Sequence, residues 1–214
     1  MLDSVTIEAS AARFCVIWLH GLGADGYDFE PIVPELNFAN KAHTRFIFPH
    51  APVRSVTINM GMNMRAWYDI LETDLGRQID LEGIRESAGF LSELVSQQMD
   101  QGIKQGNIVL AGFSQGGVIS LYHGLADDQA YAGILALSTY YPGTTLNAGN
   151  SSTPVMMMHG SQDPVIPLEQ ARKSYELILS AGIKADWKDY PMPHSVCPQQ
   201  IQEIGRWLDD VLTD

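Results

Sequence analysis

One serine lies in a motif that makes it suitable for nucleophilic chemistry. Ser114 is the central residue of the pattern G-x-S-x-G at 112–116, which ends the apolar run Ile108–Phe113. The apolar segment 118–125 follows, so the pattern predicts a buried strand, a sharp turn and a buried helix. On such a turn the serine Oγ stands above the sheet edge, and the flanking glycines let strand and helix approach closely. We therefore predict that Ser114 is a nucleophile in acyl transfer.

The base that would activate this serine is expected among the six histidines of the chain. In proteins with this strand-turn-helix motif, the chain order is nucleophile, acid and then histidine. His194 meets that order, because it follows the predicted strand Ala185–Tyr190 and precedes the last helical pattern. The other histidines precede the nucleophile, lie within a helix or end a strand, and packing explains them better: His20, His43, His50, His123 and His159.

Asp163 is the predicted acidic partner of the histidine. It follows the apolar run 155–158, and therefore lies at the sheet edge where the serine is expected. A carboxylate there would fix the imidazole tautomer and stabilise the imidazolium that forms during the reaction. An aspartate that merely begins a proline turn is the alternative, since Pro164 follows it. The rivals are weaker, because Asp189 lies within a predicted strand and Asp69 precedes the serine.

The loop after the first long apolar strand carries a second functional pattern. The run Phe14–Leu19 leads into the sequence His-Gly-Leu-Gly at 20–23. A His-Gly loop at this place donates one backbone N–H to the oxyanion of an acyl-transfer intermediate, and the residue after the nucleophile donates another. We predict that Leu22 and Gln115 are these two donors. Losing one such donor typically costs on the order of 10²–10³ in rate.

The same loop also spells G-x-G-x-x-G at 21–26, a pattern typical of dinucleotide-binding enzymes. Two features argue against that function. Pro31 and Pro34 interrupt the helix that should begin at the loop, and the next predicted strand ends at 48–50 without an acidic residue for a ribose. Glycines in an ordinary tight turn are the remaining alternative.

The chain alternates short apolar runs with helical patterns. The runs predict strands buried on both faces, at Phe14–Leu19, 45–48, Ile108–Phe113, 134–137 and 155–158. A last strand is predicted at Ala185–Tyr190. Helical patterns begin near positions 80, 118, 168 and 201, with glycines at 102 and 182 marking two of the ends. This alternation predicts the α/β class, with a mostly parallel central sheet and helices on both faces. No repeat or linker is visible, so 1–214 is predicted as a single domain.

The composition limits the kinds of partner. Of 214 residues, 45% are hydrophobic and 18% charged, which is typical of a globular chain. The formal net charge of −12 and the lack of a basic run argue against nucleic acid. No transmembrane segment is expected, because no apolar run reaches roughly 18 residues, and with no visible signal peptide we expect a cytoplasmic location. The two cysteines, Cys15 and Cys197, are expected to be reduced thiols rather than ligands in a metal site.

Taken together, the motifs resemble the acyl-protein thioesterase and phospholipase/carboxylesterase family of small α/β-hydrolases. The segments that carry the resemblance occur in the family's order, at 19–26, 64–69, 112–117, 160–163 and 194–195. The resemblance implies the α/β-hydrolase fold without a large cap domain. It also implies that Ser114, Asp163 and His194 form a catalytic triad, with Leu22 and Gln115 as oxyanion donors.

The family's activity, by this resemblance, is hydrolysis of carboxylic esters or thioesters through an acyl-enzyme, without a metal or another cofactor. The chain looks closer to the bacterial carboxylesterases than to the eukaryotic depalmitoylating enzymes, and a homodimer is implied. One departure is the sequence Pro-Met-Pro at 191–193, where relatives are richer in glycine, which puts the local backbone in doubt rather than the role of the histidine.

The acyl pocket is expected along the segment 51–80, about thirty residues between a strand and a long helix. Flexible thioethers and aromatic rings of this segment suit an adaptable pocket. The predicted pocket residues come from it and from the two neighbouring loops: Tyr27, Met64, Trp67, Leu71 and Ile166. Simple packing of the segment onto the body of the protein is the alternative, for Trp67 above all.

The expected function is therefore that of a serine carboxylesterase whose substrate is a small-molecule ester or acyl thioester, with an acylated protein or a lysophospholipid as further candidates. An acyltransferase with an acceptor other than water is one alternative. A catalytically silent binding protein of the same fold is another. The acyl chain length and the preference for an ester or a thioester do not follow from the sequence.

Overall fold

The computed structural model describes residues 2–72, 78–143, 146 and 152–213. The described strands are β1 Ser4–Ile7, β2 Phe14–Leu19, β3 Thr44–Pro49, β4 Val53–Val56, β5 Met62–Arg65, β6 Ile108–Phe113, β7 Gly133–Leu137, β8 Val155–Gly160 and β9 Ala185–Tyr190. The described α-helices are α1 Leu81–Asp100, α2 Gln115–Ala126, α3 Leu168–Ser180 and α4 Pro198–Val211. Short 3-10 turns lie at Glu30–Glu35, Ala39–His43, Thr57–Asn59 and Gln105–Asn107.

Of the described strands, seven form the central sheet, in the order β1-β3-β2-β6-β7-β8-β9. Only β1 runs antiparallel to its neighbour, and the remaining pairs are parallel. The predicted α/β class with a mostly parallel sheet is therefore confirmed. Since parallel strands end at one edge of a sheet, the loops after β2, β6, β8 and β9 meet at the same edge.

Two hydrophobic cores cover the two faces of the sheet. Along β2, where successive side chains point to opposite faces, Ile17 packs into one core and Trp18 into the other. The first core also contains the apolar sides of α1, α2 and α3. The second contains that of α4 and the segment around the first 3-10 turn. Helices thus cover both faces, as the alternation of the sequence predicts.

The predicted helix ends are found where the sequence places them. The Asp80 side chain accepts a hydrogen bond from the Gly83 amide at 2.9 Å and so caps α1. After the C-terminal end of α3, Gly182 has φ +80° and its amide donates to the Leu179 carbonyl at 3.0 Å. The left-handed conformation that ends this helix is one that glycine adopts without strain.

Three strands were not predicted. β1 is a four-residue edge strand, and β4 and β5 form a separate antiparallel hairpin inside the segment 51–80. The hairpin has only short, largely exposed strands, so it lacks the apolar run by which the buried strands were recognised. The part of this segment at 73–77 lies outside the described residues.

Within the described part of the chain, no helix combines the length and the apolar character needed to cross a membrane.

Close backbone packing fixes α2 against the sheet. A Cβ at Gly112 would lie 2.3 Å from the carbonyl carbon of Gly116, and a Cβ at Gly116 would lie 2.3 Å from the carbonyl oxygen of Leu19. Real Cβ atoms do not tolerate such distances, so both positions require glycine. The start of α2 consequently lies directly on the end of β6 and on the loop after β2.

We expect Gly116→Ala to lower the free energy of unfolding by about 1–3 kcal/mol, because the added methyl group overpacks this crossing. Gly89→Ala is the matched control, since Gly89 lies on the exposed side of α1 and its Cβ would meet nothing within 4 Å. That change should raise the free energy of unfolding by about 0.5–1 kcal/mol. Urea unfolding followed by circular dichroism measures both. A Gly116→Ala protein as stable as the parent would contradict the packing described.

Candidate active site

Ser114 lies on a strained turn between β6 and α2. Its φ of 53° and ψ of −118° are unfavourable for a residue with a Cβ. The turn is held on both sides, because the Ser114 amide donates to the Leu137 carbonyl at 2.9 Å and the Thr139 hydroxyl donates to the Ser114 carbonyl at 2.7 Å. Backbone strain of this kind persists only where the surrounding structure over-determines it, and it is frequent at reactive residues.

A histidine and a buried carboxylate are paired on neighbouring loops. The Nδ1 of His194 lies 2.7 Å from Oδ2 of Asp163, whose side chain is fully buried. The other oxygen, Oδ1, accepts backbone hydrogen bonds from Val165 at 2.8 Å and Ile166 at 3.0 Å. Three donors therefore satisfy the carboxylate. With Nδ1 as the donor toward Asp163, Nε2 of the same ring is available to accept a proton.

The histidine loop is anchored on the end of β8. A Cβ at Gly160 would lie 2.4 Å from the carbonyl oxygens of Met192 and Pro193, so the backbones touch. The Gln162 amide also donates to the Met192 carbonyl at 3.1 Å. The Pro-Met-Pro sequence before the histidine is thus part of a tightly bonded loop.

An aromatic contact joins the histidine to the serine turn. The rings of His194 and Phe113 have centroids 4.7 Å apart, and Phe113 immediately precedes Ser114. The structure therefore places Ser114, His194 and Asp163 on loops at the carboxyl edge of the sheet, after β6, β9 and β8, with His194 paired to Asp163 and packed against the residue before Ser114.

A second histidine supports the acid loop, and the sequence analysis did not give it this place. His159 is 1% exposed, and its Nε2 lies 2.9 Å from the Ile166 carbonyl and 3.5 Å from Oδ2 of Asp163. Its burial lowers its pKa, so the ring is neutral and donates to the carbonyl. The His159 ring also stacks on the ring of Trp187, with their centroids 6.0 Å apart. The spacing of four residues between His159 and Asp163 is the signal that could have shown this contact.

The loop at 20–23 lies beside the serine. A Cβ at Gly21 would be 3.5 Å from the Cβ of Ser114, and Leu22 follows in a turn that the Ala24 amide closes onto the Gly21 carbonyl at 3.3 Å. Gln115 is the first residue of α2, where amide groups have no acceptor within the helix and the helix dipole is positive. Both predicted oxyanion donors are thus on segments adjoining the serine.

The structure after the loop at 21–26 argues against the dinucleotide-binding alternative. The loop leads into the 3-10 turn Glu30–Glu35, which contains Pro34, and not into an α-helix whose N-terminus could bind a pyrophosphate. Gly26 packs against the end of β3 instead, since a Cβ there would lie 2.3 Å from the Phe48 carbonyl oxygen.

His20 ties this loop to the segment 51–80. Its Nε2 accepts from the Ala51 amide at 3.0 Å, and its Nδ1 therefore donates to the Gly21 carbonyl at 2.7 Å. Its own carbonyl accepts from the Trp67 indole at 2.8 Å. The ring is 1% exposed, and this burial lowers its pKa to about 4.

The five predicted pocket residues have different environments. Trp67 and Ile166 are only 1% and 3% exposed and pack in the core, which favours the packing alternative, and their place in the acyl pocket stays a prediction. The packing alternative is favoured for Trp67 also because its indole N–H donates a hydrogen bond to the His20 carbonyl. Tyr27 is 63% exposed, and the half-buried Leu71 lines a cavity of about 10 Å³ together with Tyr68, Ile70, Ile79 and Tyr140.

Met64 is half-buried beside the oxyanion loop, where its Sδ lies 3.9 Å from the position of a Cβ at Gly23. The Gly23 amide also donates to the carbonyl of Arg65 at 2.8 Å, so β5 and this loop are bonded. Met64 therefore contacts the predicted oxyanion loop.

A larger cavity adjoins His194 and was missed by the sequence analysis. Its volume is about 270 Å³, and besides the histidine it is lined by Asp28, Phe29, Ile32, Phe113, Ser195 and Val196. In the sequence, the segment that contains residues 28–32 is distinguished by Pro31 and Pro34. No local pattern indicates that this segment meets the histidine loop, which follows it by more than 160 positions.

The sequence as a whole matches a known family. The sequence model of the phospholipase/carboxylesterase family matches residues 2–212. The chain belongs to this family. It is therefore a serine hydrolase of the α/β-hydrolase fold, in a family of esterases and thioesterases.

Individual relatives and solved structures are similar to this chain over nearly their full lengths. Acyl-protein thioesterase 1 of Gibberella zeae is 38% identical, covering 94% of this chain and 91% of its own length. That of Yarrowia lipolytica is 36% identical, covering 97% and 96%. The crystal structure of Arabidopsis thaliana SOBER1 has a TM-score of 0.88 at 28% identity, covering 94% of this chain and 100% of that one. The expected placement among bacterial carboxylesterases stays a prediction, since these relatives are eukaryotic.

Among the described residues, no group of three or more His, Cys, Asp or Glu side chains is arranged to hold a metal ion.

The burial of His20 predicts a pH dependence of stability. Its folded-state pKa of about 4 lies below the ordinary value of 6.5, so between these values the unfolded chain binds a proton that the folded chain does not. The stability is therefore lost as the pH falls from 6.5 toward 4. His123 and His159, whose pKa values burial also lowers, act in the same direction.

We expect His20→Gln to reduce this loss without abolishing it, because the other two histidines remain. Urea unfolding of both proteins between pH 7 and pH 4 gives the comparison, and the measured quantity is the slope of the free energy of unfolding against pH. Identical slopes for the parent and His20→Gln would show that His20 is not held neutral by the fold.

Proposed function

We propose that this family member hydrolyses carboxylic esters and thioesters through an acyl-enzyme formed on Ser114. The observation that carries the proposal is the pairing of His194 with the buried Asp163 at 2.7 Å, on loops that meet the strained serine turn. Membership in the phospholipase/carboxylesterase family supports the same chemistry.

In the first half-reaction, Nε2 of His194 accepts the hydroxyl proton while Oγ of Ser114 attacks the carbonyl carbon. The resulting oxyanion accepts hydrogen bonds from the backbone amides of Leu22 and Gln115. The C–O or C–S bond then breaks, and the imidazolium gives its proton to the departing alcohol or thiol. Asp163 remains ionised throughout and stabilises the imidazolium.

In the second half-reaction, a water molecule takes the place of the leaving group. His194 accepts a proton from this water as it attacks the acyl carbonyl, and the same two amides stabilise the second oxyanion. Collapse of this intermediate releases the carboxylic acid and returns the proton to Oγ of Ser114. The atoms balance without a cofactor.

The acyl chain, in this proposal, lies along the segment 51–80, with Met64 and Leu71 on its path. Both side chains are half-buried, and Met64 adjoins the loop that carries Leu22. The small cavity beside Leu71 has room for about one water molecule, so a long chain would have to displace side chains there.

An acyl thioester is the substrate class that the relatives favour, because both of the curated relatives described above are named acyl-protein thioesterases. We propose an acylated protein or a small acyl thioester, with lysophospholipids as a further class. A homodimer in the cytoplasm stays a prediction, and sedimentation of the purified protein checks the dimer.

Transfer of the acyl group to an alcohol or a thiol would use the same first half-reaction. Product analysis in the presence of added methanol or a small thiol separates this transfer from hydrolysis, since a new ester or thioester forms only in the former case.

We expect Ser114→Ala to reduce the hydrolysis of p-nitrophenyl esters to near background, because no other group forms the acyl-enzyme. Chain lengths from acetate to palmitate also measure the depth of the acyl site. Ser180→Ala is the control, since this exposed serine on α3 only bonds the Leu177 carbonyl. Parental rates in the Ser114→Ala protein would contradict the proposal and favour a binding protein.

We expect Asp163→Asn to lower kcat by roughly 10³–10⁴-fold, because an amide no longer fixes the imidazole tautomer or stabilises the imidazolium. Asp189→Asn serves as the comparison, since Asp189 bonds the Arg172 and Trp187 side chains on the exposed side of β9. Its kcat should stay within a few-fold of the parent. If the two variants lose activity equally, Asp163 is not the acid of the triad.

A further inference from the structure

The 270 Å³ cavity beside His194 has a definite place in the reaction. Under the proposed function, His194 gives its proton to the departing alcohol or thiol, so the leaving group must lie next to this ring. The cavity is lined by the same ring. It shares no lining residue with the small cavity beside Leu71 on the proposed acyl path. The two cavities are therefore suited to the two halves of one ester.

The walls of this cavity are mainly aromatic and aliphatic. The rings of Phe29 and Phe113 lie 5.5 Å apart at an angle of 45°, and Ile32 and Val196 complete the apolar surface. Aromatic rings accommodate hydrocarbon groups, and their faces also attract cations such as a quaternary ammonium group. The walls therefore accept a bulky leaving group whether or not it is charged.

One carboxylate gives the cavity its charge. Asp28 is exposed and lines the cavity, whereas none of the lining residues is a lysine or an arginine. Partial desolvation beside the cavity and the neighbouring Asp25 both raise the pKa of Asp28. Asp25 is itself engaged, since its Oδ1 accepts from the Tyr27 amide at 2.9 Å. Within the described part of the chain no cationic side chain pairs with Asp28, so a cation in the cavity would face its negative charge, in a chain whose formal net charge is already −12.

We propose that this cavity is a leaving-group subsite that favours alcohols and thiols bearing a positive charge a few bonds from the ester oxygen or sulfur. The cationic group lies against Phe29 and Phe113, and Asp28 supplies the attraction. This subsite rests on the proposed function, because it needs His194 to protonate the leaving group. A neutral leaving group of the same shape occupies the same walls but gains nothing from Asp28.

The test uses two thioesters that differ in one atom of the leaving group. Butyrylthiocholine carries a trimethylammonium group, and S-(3,3-dimethylbutyl) thiobutyrate carries an uncharged tert-butyl group of nearly the same shape. Their acyl chains are identical, and the released thiol is measured with a chromogenic disulfide. Since the two thiols differ in intrinsic leaving ability, the informative quantity is how the ratio of their kcat/KM values changes between variants.

We expect Asp28→Asn to lower the ratio of kcat/KM for the charged substrate to that for the neutral substrate by about 2- to 5-fold, because only the charged substrate is attracted by the carboxylate. Asp186→Asn is the matched control. It removes an exposed carboxylate near the start of β9, away from the carboxyl edge of the sheet, and should leave the ratio at its parental value. Raising the salt concentration from about 0.02 to about 0.5 M should lower the parental ratio and leave that of Asp28→Asn nearly constant.

An unchanged ratio in Asp28→Asn, or an equal loss for both substrates, overturns the subsite. The proposed function survives either result if both thioesters are hydrolysed by the parent and neither by Ser114→Ala. Hydrolysis of both by Ser114→Ala at parental rates overturns the proposed function itself, so the two failures are distinguishable.

Discussion

The contact between the start of α2 and the loop after β2 is the constraint on which the site depends. Gly116 lets the helix backbone lie on the carbonyl oxygen of Leu19, and Gly112 lets the strand backbone lie on the helix. Only this close approach places the end of β6, the start of α2 and the loop at 20–23 around one residue, Ser114. The strain at that residue is tolerated because the bonds to Leu137 and Thr139 hold its backbone from two further segments.

Burial divides the histidines around the site into two kinds. His20 and His159 are each 1% exposed, have pKa values lowered by that burial, and hold loops through bonds to backbone carbonyls. His194 is different, because its side chain is 16% exposed and its ring contacts both a buried carboxylate and a cavity. A neutral structural histidine stiffens a loop, whereas the proposed base must gain and lose a proton in each half-reaction. Solvent access and the paired carboxylate together favour His194 as the group that gains and loses this proton.

Residues of the segment 51–80 are hydrogen-bonded to the first residue of α2, next to the proposed nucleophile. The Gln115 side chain accepts from the Trp67 amide at 3.1 Å and donates to the Tyr68 carbonyl at 2.8 Å, while its backbone amide is a proposed oxyanion donor. Asp80 caps α1 and also accepts from the Asp69 amide at 2.9 Å. A shift of this segment would therefore be transmitted to the first turn of α2, which links the proposed acyl site to the oxyanion site.

The sequence by itself determined the elements whose signals are local. Uniform apolar runs predicted five buried parallel strands, and the strand-turn-helix motif together with chain order selected Ser114, Asp163 and His194. Tertiary structure decided what depends on segments distant in the chain. Exposed short strands leave no apolar run, so the hairpin β4–β5 was invisible. The burial of Trp67 and the meeting of residues 28–32 with His194 follow from packing between such segments. Side-chain type and spacing are properties of one stretch of chain, whereas a cavity is shaped by surfaces that only folding brings together.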